Sequence, residues 1–172
     1  CNGNYEGVNQ KIHGGSYVII PQDDRQNVTS FTLQAYIFPT TPDKGRQGIL
    51  TKWNEKNNSG YGLFIDDDAC LSVMIGDGDG QVMSLSSEKK LMRKVWYLVA
   101  VSFNADTGKI ILYQEPCVTP TNGGLGMSLL HPADETTSII ESISNVKPGI
   151  NDAPLLMAAS TINERSKRYI QG

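Results

Sequence analysis

Short apolar runs separated by glycine, aspartate and asparagine fill residues 30–115, and no long helical pattern interrupts them. Six or seven such runs follow one another in this stretch. Antiparallel strands joined by tight turns give this spacing. We therefore predict an all-β fold, an antiparallel β-sandwich, in which loops rather than strands carry any binding site.

The runs also indicate which faces of the strands are apolar. Residues 31–38 alternate, which places their odd-numbered apolar side chains on one face. Residues 95–103 are apolar on both faces, so we place this strand in the middle of a sheet and Trp96 in the core. The predicted strands are 16–20, 31–38, 48–53, 60–65, 71–75, 82–85 (a short edge strand), 95–103, 109–114 and 155–159, with 88–94 as an exposed connection.

The strand rhythm is lost in residues 115–154, which are rich in proline, glycine, serine, threonine and asparagine. We interpret 115–154 as a long insertion over one edge of the sandwich. Within it, residues 133–145 have the spacing of one short helix, with three isoleucines on a face and Asp134 at its entrance.

Length and charge narrow the possible partners. We treat 1–172 as a single domain and expect it to be a fragment of a longer chain, because it opens at Cys1 without a methionine and stops abruptly at Gly172. The residues are 39% hydrophobic and 19% charged, and the net charge is −3 with scattered basic positions. Nucleic acid and acidic membrane surfaces are therefore not expected partners. No apolar run approaches membrane-spanning length.

Three cysteines, Cys1, Cys70 and Cys117, are too few and too odd in number for a disulfide framework. They are typical of reduced thiols in a cytoplasmic protein. A single bridge between Cys70 and Cys117 is the alternative.

Five motifs occur in order along the chain: Phe31-Thr-Leu-Gln-Ala-Tyr-Ile, Gln47-Gly-Ile-Leu-Thr-Lys-Trp, Tyr61-Gly-Leu-Phe-Ile, Trp96-Tyr-Leu-Val-Ala-Val and Gly108-Lys-Ile-Ile-Leu-Tyr. The ordered set resembles the concanavalin A-like, laminin G-like jelly-roll family, in which the Trp-Tyr strand and the Gly-Lys-x-x-Leu-Tyr hairpin are habitual. The resemblance covers about half of the chain. It implies a jelly-roll β-sandwich and is poorly specific for function.

A narrower similarity lies within that region. Residues 40–49, 52–54, 75–78 and 112–114 look like the N-terminal region of the large subunit in the N,N-dimethylformamidase family. That family hydrolyses a small formamide to formate and dimethylamine, using an iron site held by tyrosines and a glutamate in a later domain. No position here matches that ligand motif, so the resemblance implies neither iron ligands nor catalytic residues in this segment.

The same resemblance bears on the edges of the sandwich. In the family, an Asn-Gly-Lys-(Ile/Val)-Asp strand follows this module and closes it, and the present chain stops short of that strand. We therefore expect an uncovered sheet edge, which is a template for association.

Calcium is the cofactor that the residues themselves suggest. Asp77, Asp79 and Glu88 stand at offsets 1, 3 and 12, as oxygen ligands of a calcium loop would. Val82 takes the offset at which such a loop needs glycine. A Gly-Asp repeat also suits a hairpin turn, since both residue types tolerate positive φ, and we favour the turn.

Carbohydrate is the alternative ligand. Trp53 and Tyr61 flank one loop and could line a groove on which sugar rings stack. Packing within the sandwich is the interpretation that we favour for both rings. Arg46 and Lys52 are expected to be surface charges or interdomain contacts.

Catalytic patterns are not found. The three acidic residues 66–68 are typical of a solvated turn, no Gly-x-Ser-x-Gly elbow seats a nucleophile, and His13 and His131 lack zinc-ligand spacing. The sequence therefore favours a non-catalytic accessory module, for assembly or interdomain packing, of a formamidase-like amide hydrolase. A carbohydrate- or calcium-dependent binding module is the alternative, and whether the segment is itself an enzyme is left open.

Overall fold

A computed structural model of the chain describes residues 17–117 and 136–160. In these two ranges, ten strands form two sheets that pack face to face, as the sequence predicts. The strands are β1 Val18–Ile20, β2 Phe31–Ile37, β3 Gln47–Asn54, β4 Ser59–Ile65, β5 Cys70–Asp77, β6 Val82–Lys90, β7 Tyr97–Phe103, β8 Lys109–Pro116, β9 Ser138–Ile143 and β10 Leu155–Met157. One 3-10 turn, Asp24–Gln26, precedes β2, and no helix in the described ranges is long and apolar enough to cross a membrane.

Every strand pairing is antiparallel. One sheet has six strands in the order β1-β10-β3-β4-β5-β6, and the other has four in the order β2-β7-β8-β9. The interior place predicted for residues 95–103 is confirmed, because β7 lies between β2 and β8. The predicted edge strand at 82–85 is also confirmed, but β6 is longer than expected and includes the start of the supposed connection 88–94.

The core lies between the two sheets and follows the two-residue period of the strands. From the larger sheet it takes the odd-numbered side chains of β4 and β5. From the smaller sheet it takes the odd-numbered residues of β7 and the even-numbered residues of β8. The fully buried members are Leu63, Leu71, Val73, Ile75, Tyr97, Val99, Val101, Phe103, Ile110 and Leu112.

The helix predicted over residues 133–145 is wrong for residues 138–143. Residues 138–143 form strand β9, which pairs with β8 along its whole length. Three β-branched isoleucines among six residues suit a strand, and the free edge of β8 supplies the hydrogen-bond partners. The supposed insertion 115–154 therefore contributes Glu115, Pro116 and β9 to the smaller sheet, and residues 118–135 lie outside the described ranges.

Trp96 is predicted to be a core residue and is instead 49% exposed. Since Tyr97, Val99 and Val101 face inward, the preceding residue Trp96 faces the outer side of the smaller sheet. In the described ranges no layer covers that outer face. Cys70 is a buried free thiol and Cys117 a half-buried one, so the alternative bridge between them is not formed.

Candidate functional site

Trp53 and Tyr61, the two rings that a sugar site would use, are only 8% and 5% exposed. The Tyr61 ring stacks on Phe31 with centroids 4.5 Å apart, and its hydroxyl donates to the Gln26 carbonyl at 2.9 Å. Trp53 lies over the backbone of Gly76, where an added Cβ would come within 2.9 Å of the indole. Both rings therefore serve packing within the sandwich, and burial raises the pKa of the Tyr61 hydroxyl.

The structure does not bring together the three acidic residues that the sequence suggests for calcium. The carboxylate of Asp77 accepts hydrogen bonds from the backbone N–H groups of Asp79 and Gln81, at 2.8 and 3.0 Å, and so shapes the β5–β6 hairpin. Glu88 lies six residues along β6 from Val82, a separation of roughly 20 Å at the rise of a strand. Over the described ranges, no group of three or more His, Cys, Asp or Glu residues is placed to hold a metal ion.

The acidic turn at residues 66–68 also uses its carboxylates on the backbone. Asp66 accepts from the N–H groups of Asp68 and Cys70, at 3.0 and 2.8 Å. Asp67 accepts from the Arg46 N–H at 3.0 Å. The guanidinium of Arg46 lies 5.8 Å from the centre of the Phe64 ring.

Lys52 is expected at the surface, and the structure buries it to 1% exposure. It pairs with Tyr61 across β3 and β4, so its side chain points between the sheets. The ammonium Nζ donates to the carbonyls of Asn151 and Ala153, at 3.2 and 2.8 Å. Burial lowers the pKa of Lys52, and the negative charges of Asp152 and Asp24 oppose that shift.

The loop that receives Lys52 is held to the sandwich by further contacts. The side chain of Asn151 donates to the Ser59 carbonyl at 2.9 Å and accepts from the Ala153 N–H at 3.0 Å. Gly149 donates to the Gly76 carbonyl at 2.8 Å, at a place where an added Cβ would lie 2.1 Å from the Asp77 carbonyl. A cavity of about 60 Å³ remains beside Lys52 and Tyr61. These contacts hold the loop closely against the sandwich, so this end of the molecule is closed and has a structural role.

An apolar opening lies where edge strand β2 faces β3 and β10. We call it the aromatic groove and define it by Tyr36, Phe38, Ile49, Trp96 and Met157. Its volume is about 320 Å³. Tyr36 is 68% exposed and Phe38 is 40% exposed, and the Phe38 and Trp96 rings touch with centroids 5.2 Å apart.

The aromatic groove offers a ligand mainly apolar contacts. None of the described residues that line it is charged. The one amide that reaches it, Gln47, donates its Nε2–H groups to the carbonyls of Thr41 and Pro42, at 2.8 and 3.2 Å. A signal for this site is present in the sequence, because the even-numbered aromatics Tyr36 and Phe38 must face away from the core when the odd-numbered residues of 31–38 face inward.

Comparison with known proteins agrees with this architecture. The sequence profile of the concanavalin A-like lectin/glucanases superfamily matches residues 13–115. The chain therefore belongs to that superfamily. The LG1-3 region of the laminin alpha2 chain superposes with a TM-score of 0.56 at 9% identity, over 91% of this chain and 27% of that one, which shows the shared fold alone.

Closer relatives are enzyme subunits. The N,N-dimethylformamidase beta subunit of Alcaligenes sp is 32% identical over 158 residues, covering 91% of this chain and 20% of that subunit. The N,N-dimethylformamidase beta subunit of Paracoccus aminophilus is 31% identical over 160 residues, covering 92% of this chain and 20% of that subunit. The chain spans about a fifth of the length of these relatives.

Proposed function

We propose that this chain is a non-catalytic accessory module of the large subunit of an N,N-dimethylformamidase-like amide hydrolase, and that it serves assembly or interdomain packing. The observation that carries the proposal is the 32% identity to a dimethylformamidase beta subunit over nine-tenths of the chain. An exposed apolar groove on an otherwise well-packed sandwich supports it, since such surfaces mark contacts with other proteins.

The iron site that the resemblance implies does not fit the described residues. The hydroxyl of Tyr61 donates to a backbone carbonyl, the hydroxyl of Tyr97 accepts from the Met92 N–H at 3.1 Å, and Tyr113 donates to its neighbour Glu115. Among the described residues the contact of Tyr113 with Glu115 is a solvent-exposed pair on one strand, and no three His, Cys, Asp or Glu residues gather beside it. We therefore derive no step of amide hydrolysis through this module and assign the chemistry to another part of the parent protein.

Two measurements together test the proposal. The intact mass of the protein that carries this chain, isolated from its own cells, gives its length. Dimethylamine release from dimethylformamide, with and without an iron chelator, gives its activity. We expect a polypeptide several times longer than 172 residues and chelator-sensitive release of dimethylamine.

A polypeptide that ends near residue 172, or one that is inert towards formamides, would contradict the proposal. The alternative of a carbohydrate- or calcium-dependent module would then be tested by glycan arrays and by calcium titration. For calcium, replacing Asp77 by Asn would have to remove the response, because Asp77 is the acidic residue that anchors the loop.

A further inference from the structure

We infer that the aromatic groove is the surface on which this module docks to the remainder of its own large subunit. The occupant is a neutral segment of that subunit that presents aliphatic or aromatic side chains to Tyr36, Phe38 and Trp96. This inference rests on the proposed function and names the partner that the packing role requires.

The aromatic groove brings several exposed apolar side chains together, whereas the isoleucines exposed elsewhere, Ile139, Ile143 and Ile150, are not part of its lining. Trp96 leaves half of its indole in solvent, and beside it stand Tyr36, Phe38 and Met157, all more than a third exposed. Val18 of β1, which pairs with Met157 in the register, extends the apolar area past β10. Trp, Tyr and Met are the side chains that protein interfaces concentrate, and the first two supply most binding hot spots.

The described lining favours an apolar partner over a sugar or an ion. A sugar site needs several converging polar groups to hold hydroxyls, whereas the Gln47 amide donors of this groove are already used on carbonyls of the same chain. An ionic ligand would meet no charged side chain among the lining residues that the structure describes. A partner that brings apolar side chains gains most from filling this groove, because burial of apolar area is what its described lining offers.

The path of the chain favours the same polypeptide as the occupant. Met157 and Ala158 line the groove, and Ser160, the last described residue, follows two positions later. An added Cβ on Gly48 would meet the backbone of Ala159 at 2.3 Å, so the chain is held tightly to β3 where it passes the groove. In the relatives, this region is a fifth of a longer subunit. Covalent attachment gives the rest of that subunit a far higher effective concentration at the groove than a second copy has.

The test uses the complete large subunit together with its partner chains. A photo-reactive benzoylphenylalanine is placed at position 36, and the cross-linked peptides are identified by mass spectrometry. Mixing isotopically heavy and light protein separates links within one polypeptide from links between copies. Position 143 serves as the matched control, because Ile143 is 76% exposed and lies on β9, at the opposite edge of the smaller sheet from β2.

We expect position 36 to link to a peptide of the same polypeptide outside residues 1–172, and position 143 not to link there. We also expect hydroxyl-radical labelling of Trp96 to be slower in the intact protein than in its Tyr36→Ser variant, because docking removes water from the ring. Replacing Tyr36 by Ser restores that labelling without changing the fold, since the Tyr36 side chain lies mostly in solvent.

Links to a second copy or to a different subunit, or rapid labelling of Trp96, would overturn the inference. If the same preparation is long and releases dimethylamine, the proposed function stands while the docking surface fails. If the preparation is inert towards formamides, the proposed function fails whatever the cross-links show.

Discussion

At the scale of single residues, the direction in which a side chain faces decides what the sequence can predict. Residues 31–38 alternate so strongly that their inward face follows from the pattern, and the structure confirms it. The predictions for Lys52 and Trp96 are both wrong, because a lysine side chain is ordinarily exposed and a tryptophan side chain is ordinarily packed in the core. The burial of Lys52 depends on its pairing with Tyr61 in the neighbouring strand. The exposure of Trp96 depends on which face of the smaller sheet lacks a covering layer. Neither feature can be predicted from the residues next to them in the sequence.

The burial of Lys52 predicts a particular pH dependence of stability. Burial lowers the pKa of Lys52 in the folded state below its ordinary 10.5, to which it returns on unfolding. Between those two values the unfolded chain binds more protons than the folded chain, so the free energy of unfolding rises with pH across that window. We expect this rise to be absent in the Lys52→Met variant, as measured by urea unfolding between pH 7 and about pH 10.

The comparison between the wild-type protein and the Lys52→Met variant isolates the contribution of Lys52 to the pH dependence. Burial also raises the pKa of Tyr61 and of Cys70, which makes the folded state less stable at high pH, but both residues are present in both proteins. Lys109→Met is the control for the loss of one lysine, since Lys109 is half-exposed and pairs with Glu141 at the surface. Curves for wild type and Lys52→Met that stay parallel over the whole range would contradict the prediction.

At the scale of secondary structure, the strands are predictable because alternation and turn residues are properties of a short stretch of chain. The helix prediction fails because the isoleucines of residues 138–143 fit both periods over so short a segment. What decides the outcome is the free edge of β8, whose partner is more than twenty residues away in sequence. The aromatic groove is not predicted for a similar reason, since residues of β2, β3 and β10 and the residue before β7 each contribute a part of it.

Hydrogen exchange would distinguish a strand from a helix at residues 138–143. In an edge strand paired on one side, every second amide bonds to the neighbouring strand and the others face solvent. We therefore expect protection to alternate along β9 in exchange followed by single-residue fragmentation. Continuous protection across consecutive amides is what a helix would give, and it would contradict the pairing with β8.

At the scale of the whole molecule, sequence-distant strands complete the larger sheet. β10 lies between β1 and β3. The two strands β1 and β10, which come from near the two ends of the described sequence, are therefore neighbours in the sheet. Leu156 is buried there, and the Thr51 hydroxyl donates to the Ala159 carbonyl at 2.9 Å. The sheet is therefore incomplete without residues 155–160.

Truncation tests that dependence. A chain that ends at residue 154 loses the burial of Leu156 and the pairing on both sides of β10. We expect its free energy of unfolding to fall by about 3 kcal/mol or more, from about 2 kcal/mol of lost apolar burial and about 1 kcal/mol per lost hydrogen bond. A chain that ends at residue 160 is the control, because it keeps every described contact. Equal urea midpoints for the two would show that β10 does not support the sheet.

The place of β10 also has a consequence for synthesis on the ribosome. β1 is made first, yet its neighbour in the sheet is made more than a hundred residues later. At about 5–20 residues per second, the nascent chain carries an unpaired β1 for roughly 7 to 30 seconds before β10 is made. Closure over so long a loop is slow, so we expect this part of the nascent polypeptide to be most prone to mispairing just before β10 emerges.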